Sequence, residues 1–149
     1  MNATFKEMPL GRLLGHTAKS YLGAISKKLS HLEMDSHFHI HIIVVIDKTD
    51  GTLSQQEIAN ALQLDKTSVL RIIDNLSEKG FVKRTKKPDD RRAYIIKLTD
   101  MGKRLLPRIY KAVDELNKEA LSGLTGKQIK AFYSVLEAIN KNISGLTGG

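Results

Sequence analysis

Two short helix patterns set about three residues apart and followed at once by two strand patterns constrain this chain more than any other feature. The first opens at Ser54-Gln55-Gln56-Glu57, where serine and glutamate can cap free first-turn N–H groups reciprocally. Ile58, Ala59 and Leu62 then recur on its inner face. Gln63 and Leu64 interrupt the pattern. A second helix begins at Asp65 or Lys66, turns Val69, Ile72, Ile73 and Leu76 inward, and stops at Gly80, a residue that tolerates the left-handed conformation of a helix end. Strands are expected at Phe81-Val82-Lys83-Arg84 and at Ala93-Tyr94-Ile95-Ile96-Lys97-Leu98. The stretch between them, Thr85 to Arg92, is polar, basic and contains Pro88, so it reads as a loop.

Two helices joined by a tight connection, the second basic at its start, form a helix-turn-helix, and a charged hairpin directly after them is a wing. This core occupies 36–98, with the wing at 81–98. Before it, Met8–Leu32 carries Leu10, Leu14, Tyr21, Ile25, Leu29 and Leu32 at three- and four-residue steps, with Pro9 suited to a first turn. Another helix opens near Ser36 and carries the Ile40–Ile46 run to Asp47, ahead of the turn Thr49-Asp50-Gly51. After the wing, Thr99-Asp100 caps a long connecting helix over 99–122, with Met101, Leu105, Ile109, Val113 and Leu116 along one stripe. Pro107 inside it removes one backbone hydrogen bond and should bend it. A second capping box, Thr125 to Gln128, opens a helix to about Ile143, apolar at Ile129, Phe132, Leu136, Ile139 and Ile143. The tail from Ser144 reads as frayed. The expectation is one domain over 1–149, mainly α with a small β-hairpin wing: a winged helix-turn-helix flanked by N- and C-terminal dimerisation helices. The apolar stripes of 8–34 and 125–145 lie outside the compact winged helix and need a partner surface.

Composition narrows the partner. Thirteen basic and six acidic residues fall between Gln63 and Arg108, a net +7 of the chain's +8. Charge concentrated in one third of a chain favours an anion met by that third, most often nucleic acid, against the plainer alternative of a solvated basic face. The absence of cysteine excludes disulfides, zinc ribbons and thiol chemistry. Met1 to Glu7 lacks the apolar core of a secretion signal and no apolar run is long enough to span a bilayer, so a cytoplasmic protein is expected. Nothing resembles a nucleophile–base pair, a glycine-rich phosphate loop or a catalytic carboxylate pair, and no enzyme is expected.

Leu53-Ser54-Gln55-Gln56-Glu57-Ile58-Ala59, the helix from Lys66, and Asp90-Arg91-Arg92-Ala93-Tyr94-Ile95-Ile96-Lys97-Leu98-Thr99 together resemble the MarR family of bacterial transcription regulators. The Asp-x-Arg followed by a short strand ending in Leu-Thr is that family's wing signature, and the resemblance covers nearly the whole chain. It implies an obligate homodimer with intertwined terminal helices, two winged-helix lobes on a palindromic operator, and repression relieved by a small, phenolic ligand. It also implies that Asp90 holds the wing in shape while Arg92 enters the minor groove.

By residue type, Lys66, Thr67 and Ser68 occupy the first turn of the helix that would enter the major groove, with Arg71 one turn later. The local alternative for Arg71 is a helix-surface pair with Asp74 or Asn75. Ser54 and Gln55 suit backbone phosphate, and Lys86, Lys87, Arg91 and Arg92 crowd four positive charges into the wing. His37 and His41 stand at i and i+4, a spacing that can bind metal. The zinc-sensing members of the resembled family also draw ligands from the helix after the wing, which here offers no histidine and only Asp100, Asp114, Glu115 and Glu119. The reading adopted has no metal and no cofactor, with Tyr21, His37, His39 and His41 lining a small-molecule pocket. Three competing readings stay open: an architectural DNA-binding protein of low sequence preference, a metal-responsive regulator using His37 and His41, and a winged-helix protein–protein module.

Overall fold

The structure, a computed structural model, describes residues 7–32, 34 and 36–146. The expectation for the N-terminal leader falls mostly on residues 1–6, and the end of the frayed tail on 147–149, which lie outside the described residues. The chain forms α1 (Leu10–Lys28), α2 (His37–Lys48), α3 (Gln55–Leu62), α4 (Lys66–Glu78), β1 (Val82–Lys87), β2 (Asp90–Leu98), α5 (Asp100–Ala120) and α6 (Gly126–Leu146). The winged-helix order expected from the sequence is present. Contacts divide the chain into two compact units, Met1–Val113 and Asp114–Gly149, with the boundary inside α5.

The core of the first unit is aliphatic. Ile42, Ile43 and Ile46 of α2, Ile58 of α3, Val69, Ile73 and Leu76 of α4, Ile96 of β2 and Ile109 of α5 are all essentially inaccessible to solvent. Met101, expected on the inner stripe of α5, is instead exposed, because the stripe closes only from Leu105 onward. The apolar stripe of α1 is buried only toward its C-terminal end, at Ile25, and the segment continues through Leu29 into a short 3-10 turn, Ser30–Leu32. Leu10, at the other end, is exposed.

Local signals fix the helix-turn-helix. The Ser54 N–H donates to Glu57 Oε2 at 2.7 Å while Ser54 Oγ accepts the Glu57 N–H at 3.3 Å, which is the capping box of α3. Asp65 caps α4 by accepting the Ser68 N–H at 2.8 Å. After α4, Gly80 takes φ +77, and the Phe81 N–H returns to the Leu76 carbonyl at 2.9 Å, closing the helix end and aiming the chain into the wing.

The wing differs from expectation at its tip. The strands extend to Lys87 and from Asp90, so only Pro88 and Asp89 form the turn where an eight-residue loop was expected. Backbone pairing is indifferent to the charge of outward-pointing side chains, and the polar composition of 85–92 concealed it. Register runs from Val82↔Leu98 to Lys86↔Tyr94 and then jumps to Lys87↔Asp90, leaving Arg91, Arg92 and Ala93 in a bulge. At its root the wing is held by the Ile96 N–H on the Leu53 carbonyl (3.0 Å) and the Thr99 N–H on the Phe81 carbonyl (3.0 Å). Thr99 Oγ1 also accepts the Gly102 N–H, capping α5. A Cβ at Gly102 would lie 2.1 Å from the Phe81 carbonyl oxygen, so only glycine lets α5 start this close to the wing.

In the second unit, Thr125 and Gln128 form the expected reciprocal cap of α6. The helix continues through Ser144 to Leu146, three residues expected to fray. None of its described residues is buried, and Phe132, Tyr133, Val135, Ile143 and Leu146 are exposed. Among the described residues no helix is long and apolar enough to cross a membrane.

Candidate nucleic-acid interface

The first turn of α4 exposes Lys66 and Thr67, and Arg71 is exposed one turn later, opposite the buried Val69, Ile73 and Leu76. Ser68 is half-buried, and its hydroxyl donates to Asp65 Oδ2 at 2.6 Å, so it is engaged by its own cap. The Ser68 hydroxyl, and then its N–H, hold the Asp65 carboxyl below its ordinary range. Ser54 is likewise engaged by Glu57, whose carboxyl is lowered chiefly by the Ser54 N–H and, more weakly, by the nearby positive charge of Lys87. Ser54 and Ser68 therefore meet an outside partner only through a remaining lone pair or hydroxyl hydrogen.

Lys86, Lys87, Arg91 and Arg92 are all exposed on the wing. Asp90 Oδ1 accepts the Arg92 N–H at 2.9 Å, fixing the backbone of the bulge so that both arginine side chains leave it from an ordered base. Tyr94, opposite Lys86, is exposed beside them.

Sequence reasoning missed Arg84. Its Nη2 lies 2.6 Å from Asp74 Oδ1 on α4 and 3.4 Å from Gln55 Oε1 on α3. Asp74, considered as a local partner of Arg71, is thus held by a strand residue ten positions on, and Gln55 is engaged within the protein. The signal available in the sequence was an arginine in a strand at a position that does not point into the core, which by itself names no partner.

Of the four residues assigned to one ligand pocket, the structure brings together Tyr21 and His41 and places His39 and His37 elsewhere. His41 shares a cavity of about 240 Å³ with Tyr21, Ile25, Ile40 and Tyr110. His39, buried, lines a separate cavity of about 420 Å³ with Phe38, Ser68, Arg71, Ile72 and Asn75. His37 lines a third, beside Gly15, Ala18 and Leu22 of α1. Helical geometry turns His39 away from the other two, since residues two apart point about 200° from each other around the axis, whereas His37 and His41, four apart, share a face. The His37 and His41 rings are 5.7 Å apart, edge to face, and among the described residues no third histidine, cysteine or carboxylate joins them. Burial, then the neighbouring His37, lowers the His41 pKa. In the same cavity Tyr110 donates to Asp47 Oδ2 at 2.5 Å, and burial followed by that bond pushes its pKa up to about 12.

A protein-family model for the MarR family matches residues 37–94, which run from the start of α2 into the wing. Among solved structures, a crystal structure of MarR is 25% identical over 95% of both chains, with a TM-score of 0.81. CouR from Rhodococcus jostii RHA1, solved bound to p-coumaroyl-CoA, is 25% identical over 92% of this chain and 94% of its own, with a TM-score of 0.78. A mutant MarR from E. coli complexed with operator DNA is 23% identical over 93% of this chain and 99% of its own; its TM-score of 0.79 speaks to the fold.

Proposed function

Because the chain belongs to the MarR family, we propose that it is a homodimeric, sequence-specific DNA-binding regulator of transcription, working in the cytoplasm as a repressor that a small phenolic ligand releases. One observation carries the reading: a single unit presents exposed Lys66, Thr67 and Arg71 on a helix and exposed Lys86, Lys87, Arg91 and Arg92 on the adjoining hairpin. A helix fits the major groove, where base edges carry a distinctive code, and an arginine on a projecting tip fits a narrow, A·T-rich minor groove. MarR solved with operator DNA supports that use of the fold.

Dimerisation is supported by the uncovered apolar residues of α6 and by exposed Leu10 on α1. A full-length protein that sediments as a monomer at micromolar concentration overturns it.

For the ligand, the cavity between α2 and α4 is favoured over the one beside Tyr21. Its volume suits a small aromatic compound. Arg71 offers a cation to a carboxylate, and Asn75 Oδ1, buried and without a hydrogen-bond partner among the described residues, can accept from a phenol. Arg71 would then serve either ligand or DNA. Coupling of about 1–3 kcal/mol between the two is expected. CouR, solved with p-coumaroyl-CoA, supports an aromatic acyl ligand class.

The deciding experiment recovers bound DNA from a random pool and competes it against random sequence. An inverted repeat bound about 10³-fold or more above random DNA supports the reading. Equal binding to both makes the chain an architectural protein, and no binding at low salt makes it a protein–protein module. Phenolic acids that leave operator affinity unchanged while a divalent metal alters it move the effector site to His37 and His41.

A further inference from the structure

The Arg84–Asp74 pair is too exposed to be explained by stability. The two side chains keep 34% and 48% of their surface, and ion pairs so exposed add little to a fold. Its position is more informative than its strength. Asp74 lies on α4 one turn beyond Leu70 and Arg71, Gln55 is the first residue of α3, and Arg84 sits midway along β1, paired with Ile96. One guanidinium therefore ties the wing to both helices of the helix-turn-helix.

A two-stranded hairpin has little rigidity of its own. From Arg84 to Pro88 the strand extends about 14 Å at its usual rise per residue, so a tilt of about 10° at the root carries the tip about 2 Å. That displacement exceeds the tolerance of a hydrogen bond. Without Arg84 the wing keeps its root bonds at Ile96 and Thr99 but loses its side-chain strut to α4.

We propose that Arg84, through Asp74, is a positioning residue that sets the distance between the α4 surface and the Arg92 tip, so that major-groove and minor-groove contacts form on one half-site together. The proposal rests on the DNA-binding reading above. It assigns Arg84 a role opposite to that of its basic neighbours: it grips the protein so that they can grip phosphate. It also neutralises an acid that would otherwise face the DNA.

The test is a double-mutant cycle on the selected operator with Arg92→Ala, Arg84→Met and both. Arg92→Ala should weaken parent binding by about tenfold or more per half-site. In the Arg84→Met background the same change should cost less than about threefold, because a misplaced tip has little left to lose. The exchanged pair, Arg84→Asp with Asp74→Arg, should restore the dependence on Arg92. Losses that simply multiply, with no recovery in the exchanged pair, identify Arg84 as one more phosphate contact and overturn the proposal. Asp74→Asn, which keeps the shape and removes the charge, serves the same cycle if Arg84→Met does not fold. Amide hydrogen exchange over 82–98, measured without DNA, should quicken in Arg84→Met and slow again in the exchanged pair; unchanged exchange overturns the strut. A parent that selects no DNA refutes the proposed function instead, and the exchange result then decides the strut by itself.

Discussion

Helix α4 and the β1–β2 wing face the same partner in the proposed complex but are built in opposite ways. Three of the side chains of α4 are fully buried, and its first turn is fastened by Asp65 and Ser68. The wing past Thr85 has no buried side chain until Ile95, and its tip is ordered by one carboxylate on one backbone amide. The difference teaches where function and fold can be separated. A change on the buried face of α4 alters stability and recognition together, whereas a change at the wing tip alters recognition alone.

The most damaging substitution should therefore be on the buried side of α4. Ile73→Ala opens a cavity beneath the helix and should lower stability by about 2–5 kcal/mol in urea unfolding, with DNA binding lost in proportion to the folded fraction. A loss below about 1 kcal/mol would show that α4 is not keyed to the core as its burial implies.

At the wing the order reverses. Arg92→Ala should leave thermal unfolding within about 0.5 kcal/mol of the parent. It should weaken operator binding by about 1–3 kcal/mol per half-site, more on A·T-rich than on G·C-rich flanks. The slope of log affinity against log salt should flatten by roughly two per dimer. Equal binding of variant and parent near physiological salt removes the wing from the mechanism.

Ser54→Ala probes the cap that precedes both regions. Losing the acceptor for the Glu57 N–H should cost about 1 kcal/mol of stability, read from the unfolding midpoint. Lys87→Ala should change stability less, and should weaken operator and random DNA by the same factor, since a phosphate contact carries no sequence information. A selective loss on the operator would make Lys87 a reader of sequence.

The smallest effect is one of pH, and it belongs to the buried side of the molecule. Burial lowers the His41 pKa below its ordinary 6.5, so the unfolded chain binds the proton more readily than the folded one. The stability contributed by neutral His41 is complete above about pH 6.5 and is lost as pH falls through the lower folded value. His41→Gln should flatten that acid limb of the stability profile and leave the region above pH 7 unchanged. A profile identical to the parent's would exclude His41 as the titrating group.

The legible parts of the molecule were those fixed by neighbours in sequence. The capping box at Ser54 and Glu57, the cap at Asp65 and the stop at Gly80 act within a turn of where they are written, and each helix boundary they imply is within two residues of the observed one. Surface side chains misled where backbone decided: the charges of 85–92 described the outside of a hairpin and said nothing of its hydrogen bonds. Long-range partners were not legible at all. No local pattern pairs Arg84 with Asp74, and none sets Gly102 against the Phe81 carbonyl. Of the three alternate histidines of α2, the helix keeps His37 and His41 on one face, with rings 5.7 Å apart, and turns His39 into a cavity on the other side, a separation that spacing along the chain does not display.

Among the described residues the sheet has two strands, and that leaves edges. Near its root the outer edge of β2 is taken up by Leu53, whose carbonyl accepts the Ile96 N–H. Among the described residues no backbone group pairs with the outer edge of β1, and exposed extended backbone is a template on which a second copy can add a strand and begin to aggregate. Here that strand carries Lys83, Lys86 and Lys87 and ends in Pro88. Two such edges repel each other. The charges suited to phosphate thus also protect an open strand from its own kind, so evolved or engineered variants that neutralise the wing should lose solubility as well as affinity.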